Sequence, residues 1–163
     1  MDTEIYSSSS EEETFHLGTR FAERLSPGDV VAFSGDLGTG KTEFIKGICE
    51  QMQVDEIVSS PTYTIVNQYA AETPDGEQTI VYHIDLYRIE NLEELTELGF
   101  QEMIAEPVAI KLIEWASIAA SILPPARWEV QFATLDDENA RRIEIARREP
   151  VPLHKATGTY GGS

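Results

Sequence analysis

Residues 35 to 42 combine three glycines with a lysine and two threonines in the pattern G-x-x-x-x-G-K-T. The segment follows the apolar run DVVAFSG, which predicts a strand, and precedes a predicted helix from about Lys41 to Met52. Glycines let backbone N–H groups converge on phosphate oxygens because no Cβ stands in the way. The positive end of the helix dipole adds to this attraction. The segment therefore predicts a site for the phosphates of a nucleoside triphosphate.

Two side chains of this segment have separate chemical tasks. Lys41 is expected to reach the β- and γ-phosphates, and the Thr42 hydroxyl is expected to coordinate Mg²⁺. The rest of the turn is expected to contact the nucleotide through its backbone: Asp36, Leu37, Gly38, Thr39 and Gly40. The alternative is a glycine turn that simply precedes a helix.

Hydrolysis of a triphosphate also needs an acidic ligand for the metal and a group that orients the attacking water. Glu114 ends the apolar run VAIKLIE, and Asp85 ends the run VYHID. Ligands of α/β sheets bind at the carboxyl ends of the strands, so both side chains are candidates. Glu114 is expected to bind Mg²⁺ directly or through water, and Asp85 to orient water, act as the base or hold the metal. The alternative is a solvated strand-end carboxylate for Glu114 and a turn cap for Asp85.

The runs outside the glycine segment predict a mixed sheet. TYTIVNQY and TIVYHIDLY flank the turn TPDG and predict a β-hairpin. VAIKLIEWA is typical of a buried strand, and RWEVQFATL and RRIEIARRE predict a closing antiparallel pair. The expected fold class is α/β, a P-loop NTPase with a mixed parallel/antiparallel central sheet flanked by a few helices.

Capping residues mark two further helices. Ser10 with Glu13 forms a capping box at the start of the first helix. Asn91 and Glu94 repeat the pattern before LEELTEL, and Gly99 is expected to end that short helix.

The charge of the chain is strongly negative. Asp and Glu number 29 against 12 Lys and Arg, which gives a formal net charge of −17. Five of the cations lie in the last 23 residues: Arg141, Arg142, Arg147, Arg148 and Lys155. The acidic body repels phosphate backbones, so direct binding of nucleic acid is not expected without a basic partner. Solubility is the alternative reason for such a charge.

Four segments, GDLGTGKTEF, VSSPTYTIVNQY, YHIDLYRIENLEELTELGF and IEWA, occur in an order and spacing that resemble the TsaE (YjeE) family. This family is the ATPase of bacterial threonylcarbamoyladenosine modification of tRNA. The resemblance extends from about residue 9 to residue 148. It implies ATP and Mg²⁺ as cofactors and the proteins TsaD and TsaB as partners, which transfer the threonylcarbamoyl group to adenosine 37. Contact with tRNA is then indirect.

The resemblance also implies roles for individual residues. Asp85 looks like the residue essential for hydrolysis, with Lys41 in its phosphate-binding role, and Glu114 looks like the Mg²⁺ ligand. Thr62, in the string SPT, resembles the γ-phosphate or metal sensor of a switch loop. Trp115 is implied to lie near the nucleotide, and the alternative is a partly buried core aromatic.

Further positions match the family near the nucleotide. Arg141 matches an arginine of the family, although Arg142 beside it is an alternative. Ser9 and Glu11, before the first helix, match the region near the base. Arg88 is a candidate for phosphate contact or a surface ion pair, and His83 is expected to pack within the sheet.

The chain is expected to form one ATPase domain over residues 9–148, after a flexible N-terminus over 1–8 and before a mobile tail over 149–163. Cys49 is the single cysteine, and the N-terminus lacks the basic and apolar parts of a secretory signal. No apolar run approaches 18 residues, so no membrane span is expected. These features favour a reducing cytoplasm.

Two other functions remain open from the residues. A small-molecule kinase needs cations in a lid, and between Lys46 and Arg127 the chain offers only Arg88 and Lys111. A non-catalytic nucleotide-binding module needs the phosphate site but not Asp85. A guanine-specific site is not favoured because no N-K-x-D string occurs.

Overall fold

The computed structural model describes residues 3–36, 38–59, 61, 65–136 and 139–150. It consists of a seven-stranded sheet and flanking helices. The strands are β1 (Thr3–Ser8), β2 (Val30–Ser34), β3 (Val66–Glu72), β4 (Gln78–Asp85), β5 (Ala109–Glu114), β6 (Arg127–Thr134) and β7 (Arg141–Arg148). The α-helices are α1 (Glu11–Ala22), α2 (Lys41–Gln51), α3 (Leu92–Glu97) and α4 (Phe100–Ala105), and a 3₁₀ helix covers Ala116–Ile122.

The sheet is mixed, as the sequence predicts. Its strand order is β1-β7-β6-β2-β5-β4-β3. The four central strands β6, β2, β5 and β4 run parallel to one another. Strand β3 pairs antiparallel with β4 through the predicted hairpin, and β7 pairs antiparallel with β6 and β1. The carboxyl ends of β2, β4 and β5 therefore lie together at one edge.

Apolar side chains cover both faces of the sheet, which gives three layers. On one face, α1 and α2 pack on residues such as Phe33, Val81 and Leu112. On the other face, α3, α4 and the 3₁₀ helix pack on residues such as Ile84 and Ile113. Because side chains alternate along a strand, Asp85 and Glu114 share the face of Val81 and Leu112, the face that carries α2.

Two glycines allow α1 and α2 to pack in close contact. A Cβ on Gly18 would lie 2.1 Å from the backbone oxygen of Phe44, and a Cβ on Gly47 would lie 2.1 Å from that of Phe15. No side chain fits at either position. The contact fixes the start of α1 beside α2, the helix that begins at Lys41.

The helix starts agree with the predicted caps, with one difference in detail. Ser10 Oγ accepts a hydrogen bond from Glu13 N at 3.1 Å, as expected of an N-cap. The Glu13 carboxylate accepts from the backbone N–H of Ser9 instead of that of Ser10. Asn91 caps α3 in the same way, through Glu94 N. Gly99 ends α3 and at once begins α4, a helix that the sequence analysis did not predict.

The N-terminus differs from the sequence expectation. Residues 1–8 were expected to be flexible, but Thr3–Ser8 form strand β1, paired along its whole length with β7. Backbone pairing at a sheet edge needs little from the side chains, so a run of serines is compatible with a strand. Tyr6 packs against the core and Ser8 is buried, which adds side-chain contacts. Most of the expected C-terminal tail, residues 151–163, lies outside the described residues.

Within the described residues, no helix has the length and apolar character needed to cross a membrane.

Candidate nucleotide-binding site

The glycine segment connects the end of β2 to the start of α2, as its sequence predicts. Gly40 precedes the first residue of α2 with φ 98°, a left-handed conformation that glycine adopts without strain. Gly35 has φ 132°, and a Cβ there would lie 2.6 Å from the backbone oxygen of Phe132. The Thr39 hydroxyl donates to the Asp36 carbonyl at 2.6 Å and closes the turn. The loop thus leads directly into the N-terminus of α2, where backbone N–H groups attract anions.

Lys41 is buried at the start of α2, with 4% of its surface exposed. Its Nζ donates to the Gly35 carbonyl at 2.5 Å and lies 4.0 Å from the centroid of the Trp115 ring. Burial lowers the pKa of Lys41, and the negative charges of Glu114, Asp85 and Asp36 act in the opposite direction. The ammonium group is therefore held by a carbonyl and an aromatic face beside three carboxylates.

Asp85 and Glu114 end neighbouring parallel strands and occupy paired positions in their register. Glu114 also pairs with Phe33 of β2, so the Glu114 carboxylate is next to the strand that leads into the glycine segment, and Asp85 is one strand further away. Asp85 Oδ1 accepts from the backbone N–H of Tyr87 at 3.0 Å. Burial raises the pKa of Asp85; the Tyr87 hydrogen bond lowers it and the Glu114 charge raises it further. The charges of His83 and Lys41 lower it again.

Glu114 is almost fully buried, and its partner is His83. Oε2 of Glu114 lies 2.7 Å from Nε2 of His83, whose side chain is completely buried. His83 was expected only to pack within the sheet, and its side chain is indeed buried there.

Lys41, Asp85 and Glu114 line one cavity of about 420 Å³. It extends from the glycine segment and the start of α2 to the start of α1 and the region before β7. The lining residues are Ser10, Glu11, Thr14, Gly38, Gly40, Lys41, Thr42, Glu43, Asp85, Tyr87, Glu114, Trp115, Asn139 and Arg141.

The comparisons with known proteins agree with this geometry. A family model described as "Threonylcarbamoyl adenosine biosynthesis protein TsaE" matches residues 8–143. The chain belongs to the TsaE family. Relatives named tRNA threonylcarbamoyladenosine biosynthesis protein TsaE include one from Rickettsia typhi, 36% identical over 89% of this chain and 95% of the relative. Another, from Bacillus subtilis, is 37% identical over 78% of this chain and 75% of its own. The crystal structure of Bacillus subtilis YdiB has a TM-score of 0.72 and 29% identity, covering 91% of this chain and 87% of that one.

Most of the residues predicted for the nucleotide line the cavity of this TsaE-family chain. They are Glu11, Gly38, Gly40, Lys41, Thr42, Asp85, Glu114, Trp115 and Arg141. Three other predicted residues are not among the lining residues: Ser9, Asp36 and Thr39. Ser9 instead bonds Glu13 through its N–H and its hydroxyl, while Asp36 and Thr39 bond each other within the turn. Leu37 and Thr62 lie outside the described residues.

The structure distinguishes between the two neighbouring arginines. Arg141 lines the cavity and donates from Nη2 to the Gly38 carbonyl at 3.1 Å. Arg142 points to the opposite face of β7 and pairs with Glu144 at 2.7 Å. Strand alternation accounts for the difference. Arg88 lines a separate, adjoining cavity that shares Asp85 and Tyr87 with the first.

Five lining residues of the TsaE-family site were not predicted: Ser10, Thr14, Glu43, Tyr87 and Asn139. Tyr87 follows Asp85 by two positions, and its ring centroid lies 5.0 Å from that of Trp115. Thr14 lies one helical turn after the cap Ser10, so the helical period places both residues on the same side of α1 and could have identified Thr14. Asn139 precedes β7 with no pattern in the sequence to identify it.

The donor atoms in the cavity fit a magnesium ion. Thr42, Glu114 and Asp85 offer hydroxyl and carboxylate oxygens, which are the ligands that Mg²⁺ prefers. Among the described residues, no group of three or more His, Cys, Asp and Glu side chains is arranged to hold a metal alone. Mg²⁺ in nucleotide sites commonly takes one or two carboxylates and completes its shell with phosphates and water. The site therefore suits a metal that arrives with a nucleotide.

Proposed function

We propose that this chain binds ATP with Mg²⁺ in the 420 Å³ cavity and hydrolyses ATP in support of threonylcarbamoyladenosine formation in tRNA. The observation that carries the proposal is that Lys41, Asp85 and Glu114 line one cavity at the carboxyl ends of parallel strands. The name shared by the relatives supports the pathway. The family and the structural neighbour support nucleotide binding.

Lys41, Thr42 and the backbone of residues 38–40 bind the phosphates at the N-terminus of α2. Lys41 leaves the Gly35 carbonyl and the Trp115 ring to meet the β- and γ-phosphates, and its burial strengthens that attraction. Thr42 and Glu114 would hold Mg²⁺, which would supply positive charge that stabilises the negative charge of the phosphates.

Asp85 orients the attacking water or accepts its proton. Its side chain is half-buried, and Oδ1 is held by the backbone N–H of Tyr87, which fixes the direction of the carboxylate. Its raised pKa makes it a stronger base than an exposed aspartate. Both properties suit a group that activates water beside the γ-phosphate.

The opposite end of the cavity receives the nucleoside. Glu11 and Ser10 at the start of α1, with Asn139, supply polar groups there. Arg141 binds phosphate or ribose oxygens from its position beside Gly38. The rings of Trp115 and Tyr87, whose centroids lie 5.0 Å apart, line the phosphate end of the cavity near Lys41.

The biological partners are TsaD and TsaB, and contact with tRNA is indirect. A net charge of −17 opposes direct binding of a phosphate backbone and agrees with a protein that acts through another protein. Thr62 senses the γ-phosphate or the metal, so that a partner distinguishes the ATP state from the ADP state.

Phosphate release from Mg-ATP tests the proposal. The wild-type chain is measured alone and with TsaD and TsaB, beside Lys41→Ala and Asp85→Asn. We expect slow release that the partners accelerate and that both substitutions strongly reduce. Phosphate found on an added metabolite would favour a kinase. Full support of tRNA modification by Asp85→Asn without hydrolysis would favour a non-catalytic module.

A further inference from the structure

His83 is a buried polar residue to which the proposed function assigns no role. Its side chain has 0% exposure and makes one hydrogen bond, from Nε2 to Glu114 Oε2. Because a carboxylate oxygen only accepts, Nε2 carries the hydrogen. In the part of the chain that the structure describes, Nδ1 has no hydrogen-bond partner. A half-satisfied imidazole in a core costs stability, so packing alone does not account for a histidine here.

The bond links neighbouring strands at the site. His83 pairs in register with Leu112 of β5, two positions before Glu114, so its ring reaches forward along the strand to the carboxylate. His83 and Asp85 share the face of β4 that carries α2. His83 is buried and is not among the lining residues of the cavity, so its ring contacts the Glu114 carboxylate from the buried side.

Glu114 has another possible partner in the same cavity. Lys41 and Glu114 carry opposite charges and attract one another. Even so, among the described ion pairs Glu114 is bonded to His83, and Lys41 makes none. A glutamate has several rotatable bonds, so without His83 its carboxylate is free to turn towards the ammonium group. That ion pair would occupy both the phosphate-binding cation and the metal ligand.

We propose that His83 is a positioning residue that orients the Glu114 carboxylate for Mg²⁺ and keeps it from pairing with Lys41. This inference rests on the proposed function, since it concerns the metal that accompanies the nucleotide. The hydrogen bond occupies Oε2 and leaves Oε1 for the cation or for a water bound to it. Outer partners of metal ligands change metal affinity or activity by about 10–100-fold when removed.

Three variants separate positioning from packing. His83→Phe keeps a planar aromatic ring and removes the donor. His83→Gln keeps an N–H near the place of Nε2. Val81→Ala is the matched control, because Val81 is fully buried two residues earlier on the same face of β4 and is not among the lining residues of the cavity.

The measurement is binding, so it does not depend on turnover. ADP binding is followed by calorimetry during a Mg²⁺ titration, and Mn²⁺ binding with ADP is followed by electron paramagnetic resonance. We expect the half-saturating Mg²⁺ concentration to rise about tenfold or more in His83→Phe. His83→Gln is expected to restore most of the loss, and Val81→Ala to match the wild type. In EDTA, ADP binding should be weaker in His83→Phe, because Lys41 is then paired with Glu114, and unchanged in His83→Gln and Val81→Ala.

Each contrary result has a distinct meaning. Wild-type Mg²⁺ dependence in His83→Phe, an equal shift in Val81→Ala, or no recovery in His83→Gln would overturn the positioning role alone. If His83→Phe does not fold, His83→Asn replaces it, since its shorter amide does not reach Glu114; equal Mg²⁺ dependence in the Asn and Gln variants would then overturn the role. A wild-type chain without Mg²⁺-dependent nucleotide binding would refute the proposed function together with this inference.

Discussion

Asp85 and Glu114 occupy paired positions on neighbouring parallel strands, and the protein holds one oxygen of each carboxylate. Asp85 Oδ1 accepts from the Tyr87 N–H, and Glu114 Oε2 accepts from His83. The two groups nevertheless differ in environment, because Glu114 is 4% exposed while Asp85 is only half-buried. A carboxylate with access to the cavity suits water activation, and the enclosed one suits a fixed metal ligand.

Replacement of Asp85 by Asn tests this division of roles. The amide oxygen still accepts from the Tyr87 N–H, so the geometry of the strand end is retained. The charge and basicity are lost, and we expect kcat to fall by about 10²–10⁴-fold, the usual contribution of a general base. The dissociation constant for ADP should change by less than about threefold. Steady-state phosphate release and calorimetry measure the two quantities, and an unchanged kcat would exclude Asp85 from the chemistry.

The proposed hydrolysis is expected to depend on pH through the same group. Burial raises the pKa of Asp85 above the ordinary value of 3.8, so the protonated, inactive form prevails up to a higher pH than for an exposed aspartate. As pH falls through this raised pKa, kcat/KM should decline, since kcat/KM reports the free enzyme. The ratio of the wild-type to the Asp85→Asn rate at each pH cancels the titration of ATP itself. A ratio that stays constant down to the ordinary value would contradict the prediction.

The two neighbouring arginines make a matched pair of variants. Arg141 lines the cavity and donates to the Gly38 carbonyl, whereas Arg142 pairs with Glu144 on the other face of β7. We expect Arg141→Ala to weaken ADP binding by about tenfold, as the loss of one charge-assisted hydrogen bond does. Arg142→Ala should bind ADP like the wild type, because an exposed ion pair contributes little. Equal effects in calorimetry would argue against the assigned orientation.

Much of the fold could be predicted because its local signals agree with its tertiary contacts. The glycine segment, the TPDG hairpin and the caps Ser10 and Asn91 are each specified by residues within a few positions. Strand β1 was missed because its order comes from pairing with β7, more than 130 residues away in the chain. Helix α4 was missed because Gly99 was taken only as a helix end, although it also begins the next helix.

In the candidate site, too, the residues that local sequence signals identify were predicted, and the features that depend on tertiary pairing were not. Lys41, Thr42, Asp85 and Glu114 were predicted because the ends of buried strands and the start of a helix are visible in the sequence, and all line one cavity. The bond between His83 and Glu114 depends on the register of β4 against β5, which no local pattern encodes. The choice between Arg141 and Arg142 depends on which face of β7 is inward, and the sequence RRIEIARR has charges on both faces.

The close contact of α1 with α2 gives a prediction about stability. A methyl group on Gly47 would meet the backbone oxygen of Phe15 at 2.1 Å, so Gly47→Ala must push the helices apart. Overpacking of this kind costs about 1–3 kcal/mol, enough to lower Tm by several degrees in a chain of this length. Glu12→Ala, at an exposed position of α1, is the control and should change the free energy of unfolding by less than about 0.5 kcal/mol. Urea unfolding followed by circular dichroism measures both, and a Gly47→Ala chain as stable as the control would show that the helices do not approach so closely.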